Sequence, residues 1–189
     1  MSLVEPIPTP PLHWHAAEPM TRDDLDRMPD DGRRYELIDG VLVVSPAPTP
    51  PHQRALANLY YQLRLVCPPD LEVLFAPLDV VLAVDTVMQP DLLVARRDDF
   101  TERELPVAPL LAVEVLSSST RRIDLMLKFS RFEAAGCAAY WVVDPDTPSL
   151  IAWELRDGAY TQVAKVTGTE PAQLTSPFDV AVVPADLIS

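Results

Sequence analysis

Nowhere does the sequence hold an apolar run of the ~18 residues that a membrane-crossing helix needs, so no such helix is expected. The stretch Met1 to Pro11 has neither a basic segment nor a long apolar one, and does not read as a signal peptide. Cysteine is nearly absent. Cys67 and Cys137 are the only two, they lack the spacing of a metal site, and they read as small core residues in a reducing cytoplasm. Positive charge is also short: Lys and Arg total 15 against 28 Asp and Glu, a net of −13. A protein that coats nucleic acid wants a broad basic face, and this excess of acid argues against one. Lysine is the rarest cation, with only Lys128 and Lys165 among the 15 basic residues. Internal repeats are missing as well.

What is present is ample core material. Hydrophobic residues make up 48% of 189 residues, enough for one domain with an arm. Residues 1–19 carry Pro6, Pro8, Pro10, Pro11 and Pro19 and read as an extended arm. Residues 20–189 read as a single domain. Thr21 caps a short helix with acids in its first turn. Residues 34–44 form a hairpin around the Asp39-Gly40 turn. Leu56, Leu59, Tyr60, Leu63 and Val66 are spaced for a helix over 52–66, which Pro68-Pro69 ends. Strands are expected at 71–75, 78–84, 92–95 and 110–116. Ser117 to Thr120 cap a helix over 121–135 that stops at Gly136. Tyr140 to Val143 is a buried strand, and 150–155 and 160–166 make a last hairpin through Asp157-Gly158. The pattern gives an α/β or α+β class: a mixed sheet flanked by helices, with an N-terminal β-hairpin.

One charge stands out. Glu114 lies inside the apolar run Leu110-Leu-Ala-Val-Glu-Val-Leu116, and a carboxylate there is costly to bury without a partner or a metal. Alternation puts Ala112, Glu114 and Leu116 on one face, and Leu111, Val113 and Val115 on the other. Asp91 opens a second apolar run, Leu92 to Val94. Neighbouring strands lie about 5 Å apart, so the two acids can converge. Lys128 follows on the next helix, four residues after Asp124, and can point back at Glu114. Two acids plus one lysine outline a metal-dependent phosphodiesterase site.

Each residue also has a plainer role. Asp91 can be a turn residue, Glu114 can pair with Arg121, and Asp124 with Lys128 can be a solvated pair. Glu36 can be a solvent-facing strand residue, His52 a capping or surface histidine, and Tyr140 and Trp141 core. His13 and His15 have no metal-binding context. Between Glu114 and Arg131, Arg121, Arg122, Lys128 and Arg131 outweigh Glu114 and Asp124 by +2, leaving −15 elsewhere. The one basic stretch therefore lies beside the candidate site, and Arg121, Arg122 and Arg131 are candidate phosphate contacts.

Tyr35-Glu-Leu-Ile-Asp-Gly40, Pro90-Asp91, Val113-Glu-Val-Leu-Ser-Ser-Ser-Thr-Arg-Arg-Ile-Asp124, Lys128 and Tyr140-Trp-Val-Val-Asp-Pro145 together resemble the Uma family of bacterial proteins, assigned to the restriction-endonuclease-like PD-(D/E)XK superfamily. The resemblance spans roughly residues 20–185. It implies a restriction-endonuclease-like core and a DNA endonuclease that uses Mg²⁺ or Mn²⁺. It also implies Asp91 and Glu114 as metal ligands with the Val115 carbonyl, Glu36 as an early acid, and Lys128 as the catalytic lysine. The superfamily lysine normally stands two residues after the second acid. Here that position is Leu116, and a known variation moves the lysine to the following helix, as Lys128 does. By analogy with related nucleases, a homodimer in the cytoplasm is expected. The rival expectation is a non-catalytic module of the same fold serving assembly or regulation. A Ser or Cys hydrolase has no supporting motif.

Overall fold

The computed structural model describes residues 18–117, 121 and 123–189. The expected Pro-rich arm therefore lies almost wholly outside the described residues, with His13 and His15. So do Ser118, Ser119, Thr120 and Arg122.

Helices α1 (Arg22–Leu25), α2 (Pro50–Val66) and α3 (Phe129–Ala134) combine with thirteen strands among the described residues. These are β1 (Arg34–Ile38), β2 (Val41–Ser45), β3 (Leu71–Phe75), β4 (Asp79–Ala83), β5 (Thr86–Met88), β6 (Leu92–Arg96), β7 (Glu104–Leu105), β8 (Leu111–Val115), β9 (Ala139–Asp144), β10 (Ser149–Arg156), β11 (Ala159–Thr167), β12 (Ala172–Leu174) and β13 (Val180–Val182). A six-stranded sheet runs in the order β11-β10-β9-β8-β6-β3, and a five-stranded sheet in the order β2-β1-β5-β4-β7. In the larger sheet β8 and β9 are parallel and the other neighbours antiparallel, so the sheet is mixed.

The hairpin turn works because Asp39 and Gly40 both take positive φ, 52° and 74°, as a two-residue turn that matches strand twist requires. Gly40 is needed twice over. A Cβ there would sit 2.6 Å from the Pro19 Cβ, where the chain before α1 is laid against the turn by Met20 N–H donating to the Gly40 carbonyl.

Two apolar layers hold the six-stranded sheet. On one face, Leu56, Leu59 and Leu63 of α2 pack on Val73, Leu92, Val94, Leu111, Val113, Val115 and Trp141. Pro50 and Pro51 fit the first turn of α2, where a missing N–H costs nothing. On the other face, Leu93, Ala112, Leu116, Tyr140 and Val142 meet Ile38, Val80, Met88 and Leu105 of the smaller sheet and Phe132 of α3. The alternation expected for β8 is the one observed, and Glu114 belongs by parity to the face between the sheets.

The helix expected over 121–135 is not uniform. Ile123–Lys128 is wound as a π-helix, and the α-helix proper starts at Phe129. Asp124 and Lys128, four residues apart within the π-helix, are both in the interior. The Tyr140 hydroxyl donates to the Asp124 carbonyl at 2.8 Å, satisfying a backbone acceptor beside that irregularity. β5, β7, β12 and β13 add to the expected strands. Cys137 is buried and Cys67 half-buried, and both are free thiols.

Candidate active site

Four elements bring charge into the space between the sheets. β1 alternates so that Leu37 joins a small cluster with Leu25 and Val87, while Ile38 faces the larger sheet. Glu36 and Arg34 share the parity of Ile38. β6 and β8 pair Leu92 with Val113, and one further step of that register sets Asp91 opposite Glu114. The π-helical segment ends at Lys128.

Lys128 is the hub. Its ammonium lies 2.8 Å from Glu36 Oε1, 3.1 Å from Glu114 Oε1 and 3.9 Å from Asp124 Oδ1. All four side chains are 1–2% exposed. The solvated-pair reading of Asp124 and Lys128 is therefore wrong, and so is a solvent-facing Glu36. Glu114 does not pair with Arg121, which binds Asp144 instead. Glu36 also accepts the Gln89 N–H at 2.8 Å.

Asp91 is held differently. Its Oδ1 accepts from Arg34 Nη1 at 2.8 Å. Its Oδ2 accepts the Val115 N–H at 2.9 Å and faces His52 Nε2 at 3.1 Å. It is no turn residue on the surface: it is 3% exposed. Arg34 extends the network, with Nε 3.7 Å from Glu36 Oε2. His52 is no surface histidine either. It is buried on the stripe of α2 that includes Leu56, Leu59 and Leu63.

The two strand acids respond in opposite directions. Burial would raise the Asp91 carboxyl, but the His52 hydrogen bond and the charges of Arg34, His52 and Lys128 outweigh it and hold the group below the usual carboxylate range. Burial raises the Glu114 carboxyl well above that range. Lys128 opposes the rise, while Asp124, Asp91 and Glu36 add to it. Burial disfavours charge on Lys128, yet Glu114, Glu36 and Asp124 together drive its ammonium above the ordinary lysine value. Four buried acids, Glu36, Asp91, Glu114 and Asp124, thus face two permanent cations, Lys128 and Arg34. Glu36 Oε2 and Glu114 Oε2 are buried without a hydrogen-bond partner among the described residues.

A cavity of about 790 Å³ opens onto this cluster from the Asp91 end. Arg34, His52, Gln89, Asp91, Leu116 and Ser117 are in its wall. Glu36, Glu114 and Lys128 lie behind that wall. Leu116, the position of the missing standard lysine, is an apolar part of the cavity lining.

Of the residues expected at the site, the structure brings together Glu36, Asp91, Glu114 and Lys128, with Val115 entering through its N–H. The arginines go elsewhere. Arg121 pairs with Asp144, and Arg131 donates to Asp39 at 2.9 Å on the hairpin turn. Arg122 lies outside the described residues. Arg34 and His52 were missed, although Arg34 shares the face of Glu36 and His52 falls on the apolar stripe of α2.

The two buried carboxylate oxygens, Glu36 Oε2 and Glu114 Oε2, that carry no hydrogen bond among the described residues fit a divalent cation, which prefers hard oxygen donors. Among the described residues no three His, Cys, Asp or Glu side chains form a ready-made metal cage. A Mg²⁺ site needs only one or two carboxylates, with waters and phosphate completing it.

No curated protein matches the chain. A crystal structure titled as "a putative nuclease belonging to DUF820" from Anabaena variabilis superposes with a TM-score of 0.71 at 19% identity, covering 90% of this chain and 98% of that one. That likeness shows a shared fold. The family model named Uma2, described as "Putative restriction endonuclease", matches residues 22–185. The chain belongs to the Uma2 family.

Proposed function

We propose that this protein is a metal-dependent DNA endonuclease, hydrolysing phosphodiester bonds at the cavity floored by Asp91. The observation that carries the reading is the convergence of Glu36, Glu114 and Asp124 on Lys128 directly behind Asp91. A structural ion pair needs one acid per cation. Here three acids, Glu36, Glu114 and Asp91, lie against Lys128 and Arg34, and Glu36 Oε2 and Glu114 Oε2 carry no hydrogen bond among the described residues.

Asp91 and Glu114, with the Val115 carbonyl, would hold Mg²⁺ or Mn²⁺. When bound, such an ion polarises phosphate and makes water more acidic. The protein's own groups do the rest. Lys128 carries a fixed charge, walled off from solvent, that offsets negative charge developing on the phosphate. Glu36 Oε2, without a hydrogen bond among the described residues, is the oxygen that would accept a proton from the attacking water. Arg34, His52 and the Val115 N–H fix the rotamer of Asp91, as supporting groups around a metal ligand do. DNA as substrate accords with the family's description, and assembly as a homodimer, by analogy with related nucleases, and action in the cytoplasm belong to the same reading.

One observation favours the rival. Asp91 already receives Arg34, His52 and the Val115 N–H, which suits a structural knot in a non-catalytic module. Plasmid cleavage separates the two. With Mg²⁺ or Mn²⁺ the wild type should nick or linearise supercoiled DNA, and Asp91→Ala and Glu114→Ala should each lose about 10²-fold or more. An inert wild type, or variants that cut as well as it does, would overturn the endonuclease.

A further inference from the structure

We infer that Arg34 is the substrate-binding arginine of this site, grasping a backbone phosphate of nucleic acid with the guanidinium edge that Asp91 leaves unused. The inference rests on the proposed nuclease reading and names a residue for it. Arg34 is in the cavity wall beside Asp91. Its side chain is 22% exposed, while Asp91 beneath it is 4% exposed. It is therefore the cation of the cluster that a ligand in the cavity can touch. Lys128, at 1%, is sealed.

The donor count supports this. A guanidinium carries five N–H groups in a rigid fork. Among the described residues one of them is spent, Nη1 on Asp91 at 2.8 Å. The 3.7 Å approach of Nε to Glu36 is an ion pair without a hydrogen bond. The remaining N–H groups need oxygen acceptors, and a phosphate offers them in the matching bidentate geometry. The Asp91 bond also keeps the side chain in place before the ligand arrives, which lowers the entropy cost of binding it. Of the candidates expected from the sequence, Arg121 is engaged with Asp144 and Arg131 with Asp39, and Arg122 lies outside the described residues.

The test is fluorescence anisotropy of a short labelled DNA oligonucleotide, single-stranded and duplex, in EDTA so that no cleavage runs. Arg34→Gln should bind roughly tenfold or more weakly, with a salt dependence shallower by about one phosphate contact. Arg34→Lys keeps the charge on Asp91, guards against misfolding, and should fall between the two because it lacks the fork. Arg156→Gln, an exposed pair partner of Glu154, should bind as wild type. Unchanged binding by Arg34→Gln, or full retention by Arg34→Lys, overturns the inference whatever the plasmid assay gives. Arg34-dependent binding with no cleavage under Mg²⁺ or Mn²⁺ leaves Arg34 as the phosphate contact and removes the nuclease. A wild type that neither binds nor cuts removes both.

Discussion

Asp91 and Glu114 are neighbours on paired strands, equally buried, and chemically opposite. Asp91 sits where donors exceed need, with Arg34, His52 and the Val115 N–H on two oxygens. Glu114 sits among other acids, with Lys128 on Oε1 and no hydrogen bond to Oε2 among the described residues. One carboxyl is pushed down and the other up. Two titratable groups whose surroundings drive them apart mark a division of roles more than a pair of duplicates. The Asp91 end, open to the cavity, is pre-charged and rigid. The Glu114 end is short of positive charge, and that shortage is what a divalent cation would relieve.

The largest effect should come from taking the hub away. Lys128→Met takes the nearest cation from Glu36 and Glu114 in the interior and leaves Arg34, 3.7 Å from Glu36 Oε2, as the permanent cation beside them. Removing one partner of a buried ion pair typically costs about 3–5 kcal/mol. Urea denaturation at neutral pH should show a loss of that order. A loss under about 1 kcal/mol would mean the acids are already neutral, and the contrast between the two ends would collapse.

Next come two matched neutralisations with opposite signs. Asp91→Asn should destabilise by about 1–3 kcal/mol at neutral pH, because Arg34 loses its acceptor charge. Glu114→Gln should stabilise by about 1–3 kcal/mol in EDTA, because it mimics the neutral form that burial prefers. A depressed carboxyl contributes stability above the ordinary carboxylate range and loses it as pH falls through its folded value. A raised carboxyl contributes below that range and loses it as pH rises. Both variants should therefore match wild type in acid and depart from it in opposite directions as pH climbs. Melting curves across pH check this; departures of the same sign would refute the assignment. Added Mg²⁺ should raise the melting temperature of wild type and leave Glu114→Gln nearly unmoved.

Much of this contrast was legible in the sequence, and the illegible part has definite causes. The parity of β8, the Asp39-Gly40 hairpin and the α2 stripe follow from periods of 2 and 3.6 and from turn chemistry, all local. So Glu114 facing the interlayer space, and Asp91 beside it, could be read. So could Lys128 turned towards Glu114, but the partners of the arginines could not, because they come from tertiary approach. Arg131 reaches back to Asp39, and Arg121 to Asp144, across long stretches of chain. The strands β5, β7, β12 and β13 have two or three residues each, too few for a period to show. The π-helical winding of Ile123–Lys128 has no sequence signature. Arg34 and His52 did leave a trace: one is two residues before Glu36 on its strand face, the other four before Leu56 on its helix.

The smallest effect should be at His52, because Asp91 keeps Arg34 and the Val115 N–H when it goes. His52→Gln puts an amide N–H near the position of Nε2 and should cost about 1 kcal/mol or less, whereas His52→Leu removes the donor and should cost about 1–2 kcal/mol. With that hydrogen bond gone, the Asp91 carboxyl moves up towards its ordinary range. The stability it contributes at neutral pH then shrinks, and the acid limb of the pH–stability profile flattens in His52→Leu but hardly in His52→Gln. Denaturation midpoints at neutral and acid pH measure this directly. Equal profiles for the two variants would show that His52 acts on Asp91 by packing alone. The low carboxyl at that end would then be the work of Arg34 and the Val115 N–H.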